Sequence, residues 1–125
     1  VVAFDILATN GGRTVKIRVK TKSAQYDHWQ WNVKKDGTIF RMLDRKDDYV
    51  VLVNLNPGNE RSNFYIVPTG LIDEWLRRDF EKWVNTPGVR ERKHDPSNKG
   101  RHLEHHKYVD ILKKYEDAWE SMFSK

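Results

Sequence analysis

The sequence predicts an α/β (α+β) fold, in which helices pack on a mixed central β-sheet of about five strands. A β-rich hairpin opens the chain, a run that is apolar on both faces follows at residues 49–55, and two stretches with helical apolar spacing come last. Several strands followed by helices are typical of a sheet covered by helices. At 125 residues the chain has the length of one domain, and we expect residues 1–125 to form one.

The opening hairpin joins strands that we expect at residues 1–8 and 14–22. The turn between them contains Asn10, Gly11 and Gly12. Such a turn needs positive φ angles, which glycine adopts without steric cost, so this tripeptide is a strong hairpin signal.

The second strand of the hairpin has one apolar and one basic face, because successive side chains point to opposite faces. The basic face consists of Lys16, Arg18, Lys20 and Lys22. In the first strand Asp5 lies among apolar neighbours. A buried carboxylate needs a partner, and either Lys20 or a metal ion could supply the positive charge.

The remaining strands follow from shorter patterns. The strands are expected at residues 29–33, 49–55 and 63–68, whereas residues 38–42 fit either a short strand or irregular structure. The run at residues 49–55 is apolar on both faces, which predicts a central, buried strand.

Two helices complete the prediction. Thr69 is the expected N-cap of the first helix, whose apolar stripe covers residues 71–84, and Pro87 and Gly88 end it. Asp73 and Glu74 are expected in its first turn, where the helix dipole favours negative charge. Residues 89–100 are polar and basic and predict a surface loop. A final helix is expected at residues 108–122, with Trp119 on its apolar stripe.

Composition limits the function classes. The net charge of +5 favours an anionic partner, most simply nucleic acid, although it could also serve solubility alone. Without cysteine the chain has no disulfide or thiolate chemistry. It shows no signal peptide and no apolar run of about 20 residues, so we expect a cytoplasmic protein without a membrane span.

The residues around Asp5 and Lys20 resemble the PD-(D/E)XK nuclease superfamily. Its core hairpin carries an Asp on the first strand and Glu (or Gln)-x-Lys on the second. The matching segments here are Phe-Asp-Ile-Leu-Ala at residues 4–8 and Ile-Arg-Val-Lys-Thr at residues 17–21. Arg18 replaces the Glu or Gln. Family members usually carry a helix before the first strand, whereas this sequence begins at that strand. The later order of elements also fits, over about two-thirds of the chain.

The resemblance implies a restriction-endonuclease-like core and Mg²⁺-dependent cleavage of nucleic acid. Asp5 would bind the metal, and Lys20 would act as catalytic base or electrostatic helper. Arg18 brings a positive charge to the place of the Mg²⁺ ion and repels it. The alternative is therefore a catalytically inactive interaction or structural domain, in which Asp5 and Arg18 form an ion pair.

The basic strand face also predicts contacts with phosphates. The expected nucleic-acid-binding residues are Arg13, Lys16, Arg18, Lys22, Lys34 and Lys35. Trp29 and Trp31 could stack on bases, although their common face fits a core better. A solvated strand face is the alternative for the lysines. DNA is the expected partner ahead of RNA, and the composition allows a homodimer.

Histidines near the end of the chain suggest a second, weaker possibility. His102 and His106 are spaced so that one helix would point both to the same side, which could hold Zn²⁺. His94 and Glu104 lie near them in sequence. The stronger interpretation is an exposed, polar helix start.

Overall fold

The computed structural model describes residues 4–88, 90 and 92–124, and it confirms the predicted α+β class. Residues 1–3 of the expected first strand lie outside the described part. In chain order the elements are β1 (Ile6–Asn10), β2 (Arg13–Ser23), β3 (His28–Asn32), β4 (Asp48–Leu55), β5 (Asn63–Pro68), α1 (Thr69–Asn85), β6 (Gly100–Glu104), α2 (His105–Leu112) and two 3₁₀ helices, Lys113–Tyr115 and Trp119–Phe123.

The strands form a four-stranded mixed sheet and a separate two-stranded sheet. The larger sheet has the order β1-β2-β4-β5, with β2 and β4 parallel and the other neighbours antiparallel. The smaller sheet pairs β3 with β6 in antiparallel fashion. No helix in the described part is long and apolar enough to cross a bilayer.

Strand β4 confirms the prediction of a central strand buried on both faces. Val50 and Leu52 belong to a core shared with α1, α2 and the small sheet, whereas Val51 and Val53 belong to a second core on the opposite face. Met122 of the last 3₁₀ helix closes that second core. The sheet is therefore covered on both sides.

The two cores show which side chains of β2 point to each side of the sheet. Val15 and Ile17 pack in the second core, so their neighbours on the other face point towards the layer formed by α1 and the small sheet. Arg18 and Lys22 are buried there. The basic face is therefore partly covered by protein and does not form a continuous solvent-exposed ridge.

Helix α1 begins one residue earlier than expected. Pro68 is the N-cap and Thr69 is the first helical residue, buried, with its hydroxyl donating to Asp48 Oδ1 at 2.7 Å. The prediction of Thr69 as N-cap was wrong, because its hydroxyl satisfies a buried carboxylate instead of the helix end. The expected first-turn placement of Asp73 and Glu74 was also wrong, because a helix that begins at Thr69 has no acidic residue in its first turn. Asp73 is buried and accepts a hydrogen bond from Arg77 at 2.9 Å.

The expected helix over residues 108–122 is interrupted. Helix α2 ends at Leu112, and after the first 3₁₀ helix Asp117 adopts a φ of 53° and donates its N–H to Phe64 of β5. Glu116 is already extended and bridges Tyr65 of β5, so the helical geometry ends before Asp117. Residues 38–42 form no strand, although Ile39 and Phe40 are buried there.

Candidate nucleic-acid interface

A cleft of about 410 Å³ lies beside the opening hairpin, and we call it the hairpin cleft. The other sides of the cleft are formed by Trp31 of β3 and by the irregular segment that follows β3 in the chain. Its lining residues are Phe4, Asp5, Arg18, Val19, Lys20, Trp31, Lys34, Ile39, Phe40 and Arg41. The structure thus brings together Asp5, Arg18 and Lys20, the three positions that carry the family resemblance.

Asp5 is positioned by backbone hydrogen bonds to β2. Its N–H donates to the Ile17 carbonyl at 2.9 Å, and its carboxylate accepts the Val19 N–H at 2.7 Å. These bonds extend the β1–β2 pairing by one residue and hold the exposed carboxylate at the rim of the cleft. Asp5 is therefore not the buried charge that its apolar neighbours in the sequence had suggested.

Arg18 pairs with Asp48 at the base of the cleft. Its Nε donates to Oδ1 and its terminal nitrogen to Oδ2, each at 2.8 Å, which gives a bidentate ion pair. The Asp48 side chain is fully buried. Among the described residues the carboxylate paired with Arg18 is thus Asp48, and the suggested Asp5–Arg18 pair is corrected.

The groups around Asp48 stabilise the ionised form of its carboxylate. Burial by itself opposes its ionisation, but the hydrogen bonds from Arg18 and Thr69 outweigh burial and hold the pKa of Asp48 below its ordinary value. The N–H of Asp44 adds a further hydrogen bond at 3.2 Å. The charge of Arg18 is therefore largely compensated within the protein.

Lys20 also lines the hairpin cleft. Its ammonium lies 5.4 Å from the ring centroid of Trp31, a cation–π distance. Burial and the nearby charge of Lys34 lower the pKa of Lys20, whereas Asp5 acts in the opposite direction. Arg41 is exposed on the same cleft. Lys20, Lys34 and Arg41 therefore form a local concentration of positive charge.

The charges that line the hairpin cleft determine whether it can bind a Mg²⁺ ion. Asp5 is the one carboxylate among the described residues that line the cleft, and Val19 already donates to one of its oxygens. Mg²⁺ in proteins is held by one or two carboxylates together with waters or phosphates. Three cationic side chains beside a single carboxylate oppose the binding of a divalent cation. The residues of the cleft do not fit a resident Mg²⁺.

The other predicted binding residues are dispersed. Arg13 pairs with Asp47 at 3.0 Å, and Lys16 lies 3.9 Å from Asp44, so acidic partners reduce the charge that each offers to a ligand. Lys35 is exposed in the turn that follows Lys34. None of these three lines the hairpin cleft.

Lys22 is enclosed in the protein. Its ammonium donates to Asn54 at 2.6 Å and to the Tyr26 carbonyl at 2.9 Å, and it lies 4.8 Å from the Trp29 ring centroid. Burial lowers the pKa of Lys22. These contacts give it a structural role.

Sequence reasoning did not identify Arg41 as a site residue. It lies in an irregular segment, where no periodicity assigns a side chain to a face. Trp31 was expected chiefly in the core, and it does pack against that core while also lining the cleft.

The histidine prediction requires a correction. His102 lies in strand β6 and His106 in helix α2, so helical spacing does not relate them. His102 stacks instead on His28 of the paired strand, with ring centroids 4.3 Å apart.

No protein-family model, curated protein or solved structure matches the chain.

Proposed function

We propose that the hairpin cleft binds the phosphodiester backbone of nucleic acid, with duplex DNA as the preferred partner. The observation that carries this proposal is the convergence of Lys20, Lys34 and Arg41 on one cleft. Lysine and arginine side chains bind backbone phosphates by charge and hydrogen bonding. The net charge of +5 supports the approach of a polyanion from a distance.

The geometry favours binding without metal-dependent cleavage at this site. The buried Arg18–Asp48 pair stands where the family resemblance implies a metal-binding Glu or Gln, and it leaves one carboxylate in a cationic cleft. This supports the inactive interaction domain over the nuclease. Catalytic roles for Asp5 and Lys20 stay predictions of the resemblance.

Binding is tested with a double charge reversal at two exposed cleft residues, Lys34→Glu and Arg41→Glu. Fluorescence anisotropy with a labelled 20-base-pair duplex at low salt measures the affinity. We expect a loss of tenfold or more, because about two phosphate contacts become repulsive. The matched control is Lys113→Glu with Lys114→Glu, which changes the net charge equally on an exposed segment outside the cleft. An equal loss in both double variants, or no binding by the unmodified protein, would refute the proposal.

Cleavage is tested separately with supercoiled plasmid in the presence of Mg²⁺ or Mn²⁺. We expect no nicking. Nicking that disappears in both Asp5→Asn and Lys20→Gln would show that the site is a nuclease.

A further inference from the structure

Three metal-ligating side chains converge where the small sheet meets helix α2. Asp27 directly precedes β3, Glu104 ends β6 and His106 is the second residue of α2. The β3–β6 register pairs His28 with Glu104, which brings these chain ends together. One ligand atom from each of the three residues lies within 4.8 Å of the other two. We call these residues the Asp27–Glu104–His106 cluster.

The backbone fixes the position of Asp27 in this cluster. Its carbonyl accepts the N–H of His105 at 2.5 Å, and its Oδ1 accepts the N–H of His106 at 3.2 Å. Its Oδ2 forms a hydrogen bond with Nδ1 of the His106 ring. Asp27 thus holds the first two residues of α2 and orients the imidazole.

We propose that the Asp27–Glu104–His106 cluster binds a divalent transition-metal ion of the zinc class. One imidazole nitrogen and two carboxylate oxygens are a ligand set suited to Zn²⁺, which leaves a fourth tetrahedral position for water. Bond lengths of about 2.0–2.2 Å place tetrahedral ligand atoms about 3.3–3.6 Å apart. The three ligand atoms lie within 4.8 Å of one another, and the ion would take the place of the hydrogen bond between Asp27 Oδ2 and His106 Nδ1.

The accessibility of the cluster permits this adjustment. The side chains of Asp27, Glu104 and His106 are 51%, 39% and 66% exposed, so none is locked by packing. An ion can enter directly from solvent. Nitrogen in the ligand set favours Zn²⁺ over Mg²⁺, which prefers oxygen ligands and retains its waters.

Lys107 competes with the ion for the same carboxylate. Its ammonium lies 3.4 Å from Glu104 Oε2, and His106 Nε2 lies 3.8 Å from the same oxygen. A bound dication would replace the positive charge that Lys107 supplies. Removal of that charge should therefore tighten binding of the ion.

Calorimetry with ZnCl₂ on the tag-free protein tests the proposal. We expect one Zn²⁺ per chain, with Mg²⁺ failing to compete. Glu104→Gln and His106→Gln should each weaken binding about tenfold or more, since each removes a ligand. Lys107→Gln should strengthen it. The matched control is His102→Gln, a histidine in β6 that is not part of the cluster, and its affinity should be unchanged.

Two outcomes would overturn the proposal. One is that the unmodified protein shows no measurable binding at about 100 µM Zn²⁺. This concentration is far above the dissociation constant of a functional zinc site. The other is Zn²⁺ binding that Glu104→Gln and His106→Gln both leave unaltered, whatever the effect of His102→Gln. Glu104→Gln changes a partly exposed side chain without changing its size, so a folded variant is available for the comparison.

Discussion

At the scale of single residues, the ion pair with Asp48 explains why an arginine stands at position 18, where the nuclease motif has Glu or Gln. Arg18 forms a bidentate pair with the fully buried Asp48, which Thr69 and the Asp44 N–H also contact. Arg18→Glu would place a second carboxylate against Asp48. It would therefore destabilise the fold instead of creating a metal site.

Loss of this pair should be costly. We expect Arg18→Ala to lower the free energy of unfolding by about 3–5 kcal/mol, because it leaves Asp48 as an uncompensated buried charge. Urea denaturation measures the change. Lys113→Ala, which removes an exposed partner of Asp110, is the control and should have little effect. Similar stability of both variants would contradict the assigned role of Arg18.

Asp48 also predicts how stability depends on pH. The pKa of Asp48 is lowered in the folded protein, so the unfolded chain binds its proton more readily. The stabilisation is complete above the ordinary value of 3.8 and is lost as the pH falls through the lowered folded value. We expect Asp48→Asn to be less stable than the unmodified protein at pH 7 and to lose less stability between pH 5 and pH 2, as measured by thermal melts. Parallel pH profiles would show that another carboxylate controls acid unfolding.

At the scale of elements, α1 and the C-terminal segment differ in burial. Trp75 of α1 is 4% exposed and packs against Tyr108 of α2, with ring centroids 4.9 Å apart. Trp119 lies in a 3₁₀ helix, 41% exposed, and contacts Phe64 at a centroid distance of 5.7 Å. The two tryptophans look equivalent in their apolar stripes, but only Trp75 is a core residue.

Truncation of these side chains should separate the two elements. We expect Trp75→Ala to cost about 3–5 kcal/mol of unfolding free energy, as for other large buried aromatic residues. Trp119→Ala should cost clearly less, since its ring keeps much of its contact with water in the folded state. Denaturant titration of both variants provides the comparison, and an equal cost would show that the C-terminal segment packs as tightly as α1.

At the scale of the whole molecule, the positive charge is less available than the composition suggests. Arg13, Lys16 and Arg18 have acidic neighbours, and Lys22 is enclosed. The three cations assigned to the hairpin cleft remain the proposed contact with nucleic acid.

The salt dependence of DNA binding measures how many phosphates the protein neutralises. If three phosphates are neutralised, log K should fall against log salt with a slope of about −2.7 on duplex DNA. Anisotropy titrations between 25 and 200 mM KCl, a range of about one decade in ionic strength, measure it. A slope of about −5.4 would instead indicate six neutralised phosphates, as expected if the whole basic strand face contacts the backbone together with Lys34 and Arg41.

The sequence by itself determined the elements whose signals are local. The Asn-Gly-Gly turn specified the hairpin, the doubly apolar run specified β4, and the apolar stripe specified most of α1, because backbone geometry and burial impose these periods directly. The hairpin pattern also placed Asp5, Arg18 and Lys20 together, which the structure shows in one cleft.

Tertiary structure decided what each of these side chains contacts. Arg18 meets Asp48 because β2 and β4 run parallel in the sheet, a pairing between positions 30 residues apart that no local pattern contains. The same holds for His102, which the pairing of β3 with β6 places in a strand, and for Glu116, which bridges Tyr65 of β5 in extended conformation where a helix was expected. Local periodicity reports which face of an element is apolar, but the partner of a charged or polar group depends on long-range packing.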